Sequence, residues 1–297
     1  PLHINYGGIL QAYALQTFLI KSGFEAEIIN FSKECSENSK FRLYISRVLN
    51  TVLIKINRIF HKYERITPSE FKYISKDIAL FTQKYINLSP ATRKITDEFA
   101  KRRKYDFVIV GSDQVWRYMY HRNKISSYFF SDLKQFDQNR KISYAASFGI
   151  DQWDYDAEST SICKNLICKF KAVSVREASG IELCKKYLGV EPQQVLDPTM
   201  LLRADDYKKF ELPRKKDNTL CLYLLDKSDN NYMVANAIAS SLGKDIERIM
   251  PLKQYNQFDP HAIVDFIYPS IDEWLGGIAN SEYVLTDSFH GVVFSII

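Results

Sequence analysis

Four stretches of the chain follow apolar runs with residues that can bind or move charge. They are Gly111-Ser112-Asp113, Ser147-Phe148-Gly149, Ser174-Val175-Arg176 and Thr286-Asp287-Ser288-Phe289-His290. A carboxylate can accept a proton, an imidazole can exchange one near neutral pH, and a guanidinium offers a planar fork to phosphate or carboxylate. His290 runs straight into Gly291 at the opening of a helix-like segment, HGVVFSII. The free N–H groups and positive dipole end of a helix start suit an anion. Gly7-Gly8 open an earlier helical segment with the same geometry, and no side chain there blocks approach to the backbone. Each residue alone has a plainer reading. An Asp after a strand more often caps a helix, an Arg at a strand end more often sits in a structural ion pair, and a lone His is usually satisfied by backbone. Asp287 and Ser288 have no nucleophile–base pattern around them and read as helix caps. Together the stretches point to an anion, first of all a phosphate, but no GxGxxG or P-loop names a reaction.

These residues need elements to hold them. Residues 7–23 (GGILQAYALQTFLIKSG) have a broad apolar face at helical spacing and a glycine stop, and 25–31 (EAEIINF) read as a strand. From residue 105 short β-branched runs alternate with helical ones: YDFVIV, KISYAA, CKFKAVSV and a short strand inside VEPQQVLDP, which runs into Asp197-Pro198. The chain turns polar over 203–218, which reads as a linker, and the alternation then restarts with NTLCLYLL, a helix capped by Ser228 or Asp229, DIERIM, a helix opening at Pro269-Ser270, and EYVLTD. The pattern is that of an α/β fold with mostly parallel sheets. The expected division is an N-terminal Rossmann-like domain over 1–202, carrying a basic helical insertion at about 32–104, and a C-terminal Rossmann-like domain over 203–297. In open sheets of this kind ligands bind at the carboxyl ends of the strands, so the two domains are expected to face each other across a cleft.

Composition narrows the partners. The 297 residues carry 46% hydrophobic and 25% charged side chains and a formal charge of +5. That excess favours anionic ligands but is too small for a dedicated nucleic-acid binder. Residues 41–65 combine apolar positions at helical spacing with Arg42, Arg47, Lys55, Arg58, Lys62 and Arg65. The plain reading is a solvated surface helix; the sharper one lays this face on an anionic membrane or a polyanionic substrate. Five scattered cysteines without a CxxC pair imply a reducing compartment and free, mostly buried thiols. No signal peptide or membrane-length apolar run is visible. Pro1 in place of a methionine implies preceding residues, including the strand that a β-α-β unit needs before the first helix.

Beyond these physical arguments, NYGGILQAYALQ, FVIVGSDQVW, SYAASFG, SVRE, VLDPTMLL and VLTDSFHGVVFSI, in this order and spacing, resemble the polysaccharide pyruvyl transferase family over nearly the whole chain. The resemblance implies a fold like GT-B glycosyltransferases, no metal and no other cofactor. It implies transfer of pyruvate from phosphoenolpyruvate to two hydroxyls of a sugar, forming a cyclic ketal on a cell-surface polysaccharide. The acceptor would be a glycan or lipid-linked sugar, and the enzyme cytoplasmic or peripheral at the inner membrane face. Arg176 matches the family's phosphate-binding arginine and His290 its essential histidine. Asp113 is the first choice of base by position, with Asp287 second. Gly7, Gly8, Ser112, Ser288 and Gly291 are expected to line the substrate site. Many members carry an arginine two residues before the histidine, where this chain has Ser288. The C-terminal domain is expected to be incomplete after Ile297, because the family closes with a further strand and helix. A GT-B-type glycosyltransferase using a nucleotide sugar and a non-catalytic glycan-binding protein are the competing readings.

Overall fold

The computed structural model describes residues 4–31, 51, 54, 66–210, 218–253 and 258–297. Nearly all of the basic segment 41–65, and Cys35, lie outside the described residues. In chain order the first elements are α1 (Tyr6–Lys21), α2 (Pro68–Ile74), α3 (Lys76–Tyr85) and α4 (Asp97–Arg103). There follow β1 (Val108–Val110), β2 (Lys141–Ala146), α5 (Ala157–Ile167), β3 (Ala172–Val175), α6 (Ala178–Leu183), β4 (Gln193–Gln194) and α7 (Ala204–Lys208). The last are β5 (Thr219–Tyr223), α8 (Asp229–Leu242), β6 (Asp245–Arg248), α9 (Ile271–Ala279), β7 (Tyr283–Thr286) and α10 (Phe289–Ile296). Strands alternating with helices form an α/β fold with parallel sheets, as the sequence pattern predicts.

The chain divides into two compact units. One holds the described residues among Pro1–Ile28, Glu34–Ser89 and Leu202–Ile297; the other holds those among Ile29–Lys33 and Pro90–Leu201. The second unit contains a four-stranded parallel sheet in the order β1-β2-β3-β4. Its core gathers Val108, Val110, Trp116, Phe129, Phe148, Val175 and Cys184, with Trp116 stacked on Phe129. The first unit contains a three-stranded parallel sheet in the order β6-β5-β7. The chain leaves β5 for a neighbour on one side, then crosses to the other side for β7. Sheets of this kind bind ligands at the carboxyl end where the direction reverses, which here is between β5 and β7.

Local chemistry sets the helix limits. The Asn5 side chain accepts from Gly8 N (3.0 Å) and caps α1. Gly23, at φ 89°, ends it: Gly23 N bonds Ile20 O and Phe24 N bonds Leu19 O, the paired bonds of a Schellman stop. Ser228 caps α8, and Ser270 with Glu273 forms a capping box on α9.

The expected layout differs in three places. The first helix does not group with β1–β4. Its buried Tyr6, Ile9, Leu10 and Tyr13 pack into one core with Tyr223, Trp274 and Phe294, because its apolar face is too broad for a surface helix. The described part of the expected insertion is also core material: Ile78 and Phe81 of α3 join that cluster, and Ala100 of α4 joins the other. Residues 25–31 make two isolated parallel bridges, Ile28 to Leu88 and Phe31 to Thr92, instead of a strand. The polar stretch after Leu202 does coincide with the unit boundary, though Tyr207 and Phe210 within it anchor against Tyr13. Of the four described cysteines, Cys163, Cys184 and Cys221 are buried and Cys168 is exposed. Among the described residues no helix is long and apolar enough to cross a membrane.

Candidate active site

In the first unit, the site is built where β7 ends. Thr286 closes the strand, its hydroxyl accepts from Ser288 N (3.0 Å), and Ser288 caps α10 by accepting from Gly291 N (3.4 Å). This turn places His290 as the second residue of α10, 6% exposed. Its ring lies against the second residue of α1. A Cβ added at Gly7 would overlap the imidazole at Nδ1 and Cγ and would lie 2.7 Å from Cε1. Two helix starts, 283 residues apart in sequence, are therefore side by side with an imidazole between them. Gly291 is tight in the same way: a Cβ there would collide with the Thr286 hydroxyl and come within 2.8 Å of Tyr223. Tyr6, one residue before Gly7, stacks on Trp274 (5.4 Å between centroids) and donates to Pro269 O (2.7 Å). Burial drives its phenol well above the usual range, so it stays a neutral donor that fixes the start of α1.

Asp287 has a different job from the expected helix cap. Its two carboxylate oxygens accept from Leu225 N (2.7 Å) and Asp226 N (2.8 Å), tying the segment after β5 to the end of β7. The cap is Ser288 alone.

The second unit assembles the other predicted residues at the carboxyl ends of β1, β2 and β3. Asp113 turns the chain after β1 at φ 64°, and its carbonyl accepts from Val115 N (2.7 Å) and Ser147 N (3.0 Å). The fully buried Ser112 hydroxyl lies 2.8 Å from Asp197 Oδ2 and 3.1 Å from Ala145 O. Arg176, whose side chain is 9% exposed, reaches three carboxylates: Asp197 (3.3 Å), Glu177 (3.6 Å) and Asp113 (3.7 Å). Glu177 is itself anchored to the end of β2, accepting from Ser147 Oγ (2.8 Å) and Phe148 N (2.9 Å). Asp197 is completely buried and also accepts from Thr199 N (3.1 Å) and Thr199 Oγ1 (2.8 Å). The Arg176 guanidinium thus divides its charge among three carboxylates, which leaves less of it for a phosphate.

The predicted residues thus fall into two groups. Gly7, Gly8, Ser288, His290 and Gly291 come together in the first unit; Ser112, Asp113 and Arg176 come together in the second. The sequence alone does not show the juxtaposition of Gly7 with His290, because chain order places Gly7-Gly8 with the strands that follow. Asp197 and Glu177 were also missed as partners of Arg176. Their signals were present, an Asp-Pro pair ending an apolar run and a Glu next to the arginine, but both are common caps and surface residues.

A family model described as polysaccharide pyruvyl transferase matches residues 5–297, almost the whole chain and both groups of residues. Comparison with curated proteins and with solved structures gave no match. The resemblance read from the ordered motifs is borne out, and with it the assignment to an enzyme of the transferase class. The chain belongs to the polysaccharide pyruvyl transferase family.

Proposed function

We propose that the protein moves the pyruvyl group of phosphoenolpyruvate onto two hydroxyls of a sugar in a cell-surface polysaccharide. In this reading two new C–O bonds form at the ketal carbon and the C–O bond to phosphate breaks. Of the two hydroxyl protons, one ends on the methylene carbon, which becomes methyl, and one leaves with inorganic phosphate. His290 is the proposed proton donor, and the paired starts of α1 and α10 hold the donor's negative charge through backbone N–H groups and the helix dipoles. The close approach of Gly7 to His290 is the observation that carries this assignment. Asp113, with 30% of its side chain exposed at the end of β1, is the proposed base toward the sugar.

Arg176 fits the phosphate less well than the resemblance implies. Its charge is already shared among Asp113, Glu177 and Asp197, so we assign it to holding these strand ends in place. The reading includes a GT-B-like fold, supported by a parallel sheet with helical crossovers in each unit, and a cytoplasmic location, because phosphoenolpyruvate is made there. It also includes a glycan or lipid-linked acceptor.

The test is incubation of the protein with phosphoenolpyruvate and candidate acceptor glycans, following phosphate release and the mass gain of one pyruvyl ketal. Turnover of a nucleotide sugar without phosphoenolpyruvate would replace the reading with a glycosyltransferase. Glycan binding that survives His290→Ala with no turnover of either donor would replace it with a binding protein.

A further inference from the structure

Strands β2 and β3 change register just before they reach the strand-end cluster. Ser143 is paired with Val173, but Ala146 is paired with Val175, so Tyr144 and Ala145 of β2 stand opposite Ser174 alone. Two residues against one make a β-bulge, which is rare between parallel strands and common beside functional sites. Ser143 and Ser174 are both buried, and their hydroxyls bond across the bulge. Ser143 Oγ accepts from Ser174 N (3.0 Å) and donates to Ser174 O (3.1 Å). Ser174 Oγ accepts from Ala145 N (3.1 Å) and donates to Ser143 O (2.9 Å). Each hydroxyl is donor and acceptor at once, and between them they bond four backbone groups. Ala145 is held there at φ 49°, fully buried, in a left-handed conformation that alanine rarely adopts.

The residues at and after the bulge bind the two turns that carry Ser112, Asp113 and Arg176. Ala145 O accepts from the Ser112 hydroxyl (3.1 Å), Ala146 O accepts from Arg176 N (3.1 Å), and Ser147 N donates to Asp113 O (3.0 Å). Three successive residues of β2 and its turn therefore reach the turn after β1 and the turn after β3 together. Pairing without the bulge would shift Ser147 by one residue, about 3.3 Å, and exchange the faces of residues 145–147. A regular strand pair with apolar side chains here would need neither a left-handed alanine nor two buried hydroxyls. What the bulge adds is the simultaneous reach to both turns.

We propose that Ser143 and Ser174 are positioning residues: their paired hydroxyls hold the bulge, and the bulge fixes Asp113 relative to Arg176. They act through Asp113. The kinetic consequence rests on Asp113 being the base toward the sugar; the consequence for the backbone does not.

The experiment compares Ser143→Ala, Ser174→Ala and Ser174→Thr with the parent protein by amide hydrogen exchange and by steady-state kinetics. In both alanine variants, exchange over residues 111–117 and 145–149 should quicken about tenfold, the effect of losing one buried hydrogen bond, while α5 of the same unit keeps its rate. Turnover should fall about tenfold or more, as misplacement of a reacting group does, with KM for phosphoenolpyruvate unchanged. Ser174→Thr keeps the hydroxyl, suits a strand, and should restore both readings. Ser143→Cys, which keeps the shape with a weaker donor, should give the same pattern at smaller amplitude and serves where an alanine variant does not fold. Exchange quickened evenly through the unit would mean that the hydroxyls hold only the fold, and would overturn the proposal. Local exchange unchanged in both alanine variants, or a full loss of turnover in Ser174→Thr, would overturn it as well. A parent protein that does not turn over phosphoenolpyruvate would remove the pyruvyl reading alone, and the exchange pattern would then decide the role of the serine pair.

Discussion

The imidazole of His290 fills the space that a side chain at Gly7 would need, so the first turns of α1 and α10 touch through one missing Cβ. The first consequence is a coupled pair of substitutions. Gly7→Ala is expected to destabilise the protein by about 1–3 kcal/mol, the usual cost of overpacking a filled site, and to lower turnover by displacing the ring. In a His290→Ala background the same change meets no ring and should cost much less, giving a coupling of about 1 kcal/mol or more. Urea denaturation of the four proteins of the cycle measures it. Additive effects would mean that the ring and Gly7 do not share this space in solution.

That contact also shows how far the sequence could be read. Ser228 and Ser270 were legible because capping is decided within one turn, and the strand ends at Asp113, Arg176 and His290 were legible because an apolar run stops there. Position along the chain misled for α1. A helix next to the strand-like stretch 25–31 looks like part of the same domain, yet Tyr6, Ile9 and Tyr13 find their partners at Tyr223, Trp274 and Phe294. Nothing local encodes that choice, since it depends on the summed apolar area of residues more than 200 positions away. Asp287 shows the limit at a finer scale: a cap and a tie between two strands use the same carboxylate, and only the fold of β5 beside β7 decides which.

A second prediction concerns Asp197. Its carboxylate is wholly buried between Arg176, Ser112 and Thr199. Asp197→Ala removes a carboxylate from the buried Arg176 guanidinium and an acceptor from the Thr199 hydroxyl and is expected to cost about 3–5 kcal/mol. Asp197→Asn retains an oxygen for Thr199 and should cost clearly less. Chemical denaturation followed by intrinsic fluorescence compares the two, and equal losses would show that the charge, not the accepting oxygen, is what the site requires.

Lys227 makes stability depend on pH in a defined direction. Its ammonium is lowered in the folded protein to about 8, against 10.5 for an ordinary lysine, mainly by burial and further by Arg248. Between those values the unfolded chain binds more protons than the folded one, so this group makes stability rise with pH across the window. Below about 8 both states are protonated and the penalty is fully present. Lys227→Met should flatten the rise, as seen in denaturation midpoints taken through the window. A rise of the same slope in the variant would assign it to other groups.

His290 and Arg176, both singled out in sequence, should fail in different ways. His290→Ala removes the proposed proton donor from a site closed by Gly7 and Gly291; the expected result is a fall in kcat of about a hundredfold or more in the folded fraction. Arg176→Met instead removes the guanidinium that Asp113, Glu177 and Asp197 share. Their mutual repulsion, one of them fully buried, should appear as lost stability of about 3–5 kcal/mol. The apparent KM for phosphoenolpyruvate should change little, since Arg176 is assigned to positioning and not to the phosphate. Steady-state kinetics on the folded fraction, with denaturation on the same samples, separates the two roles. A stable Arg176→Met protein with a greatly raised KM would return the phosphate to Arg176 and remove the donor's charge from the helix starts at Gly7 and His290.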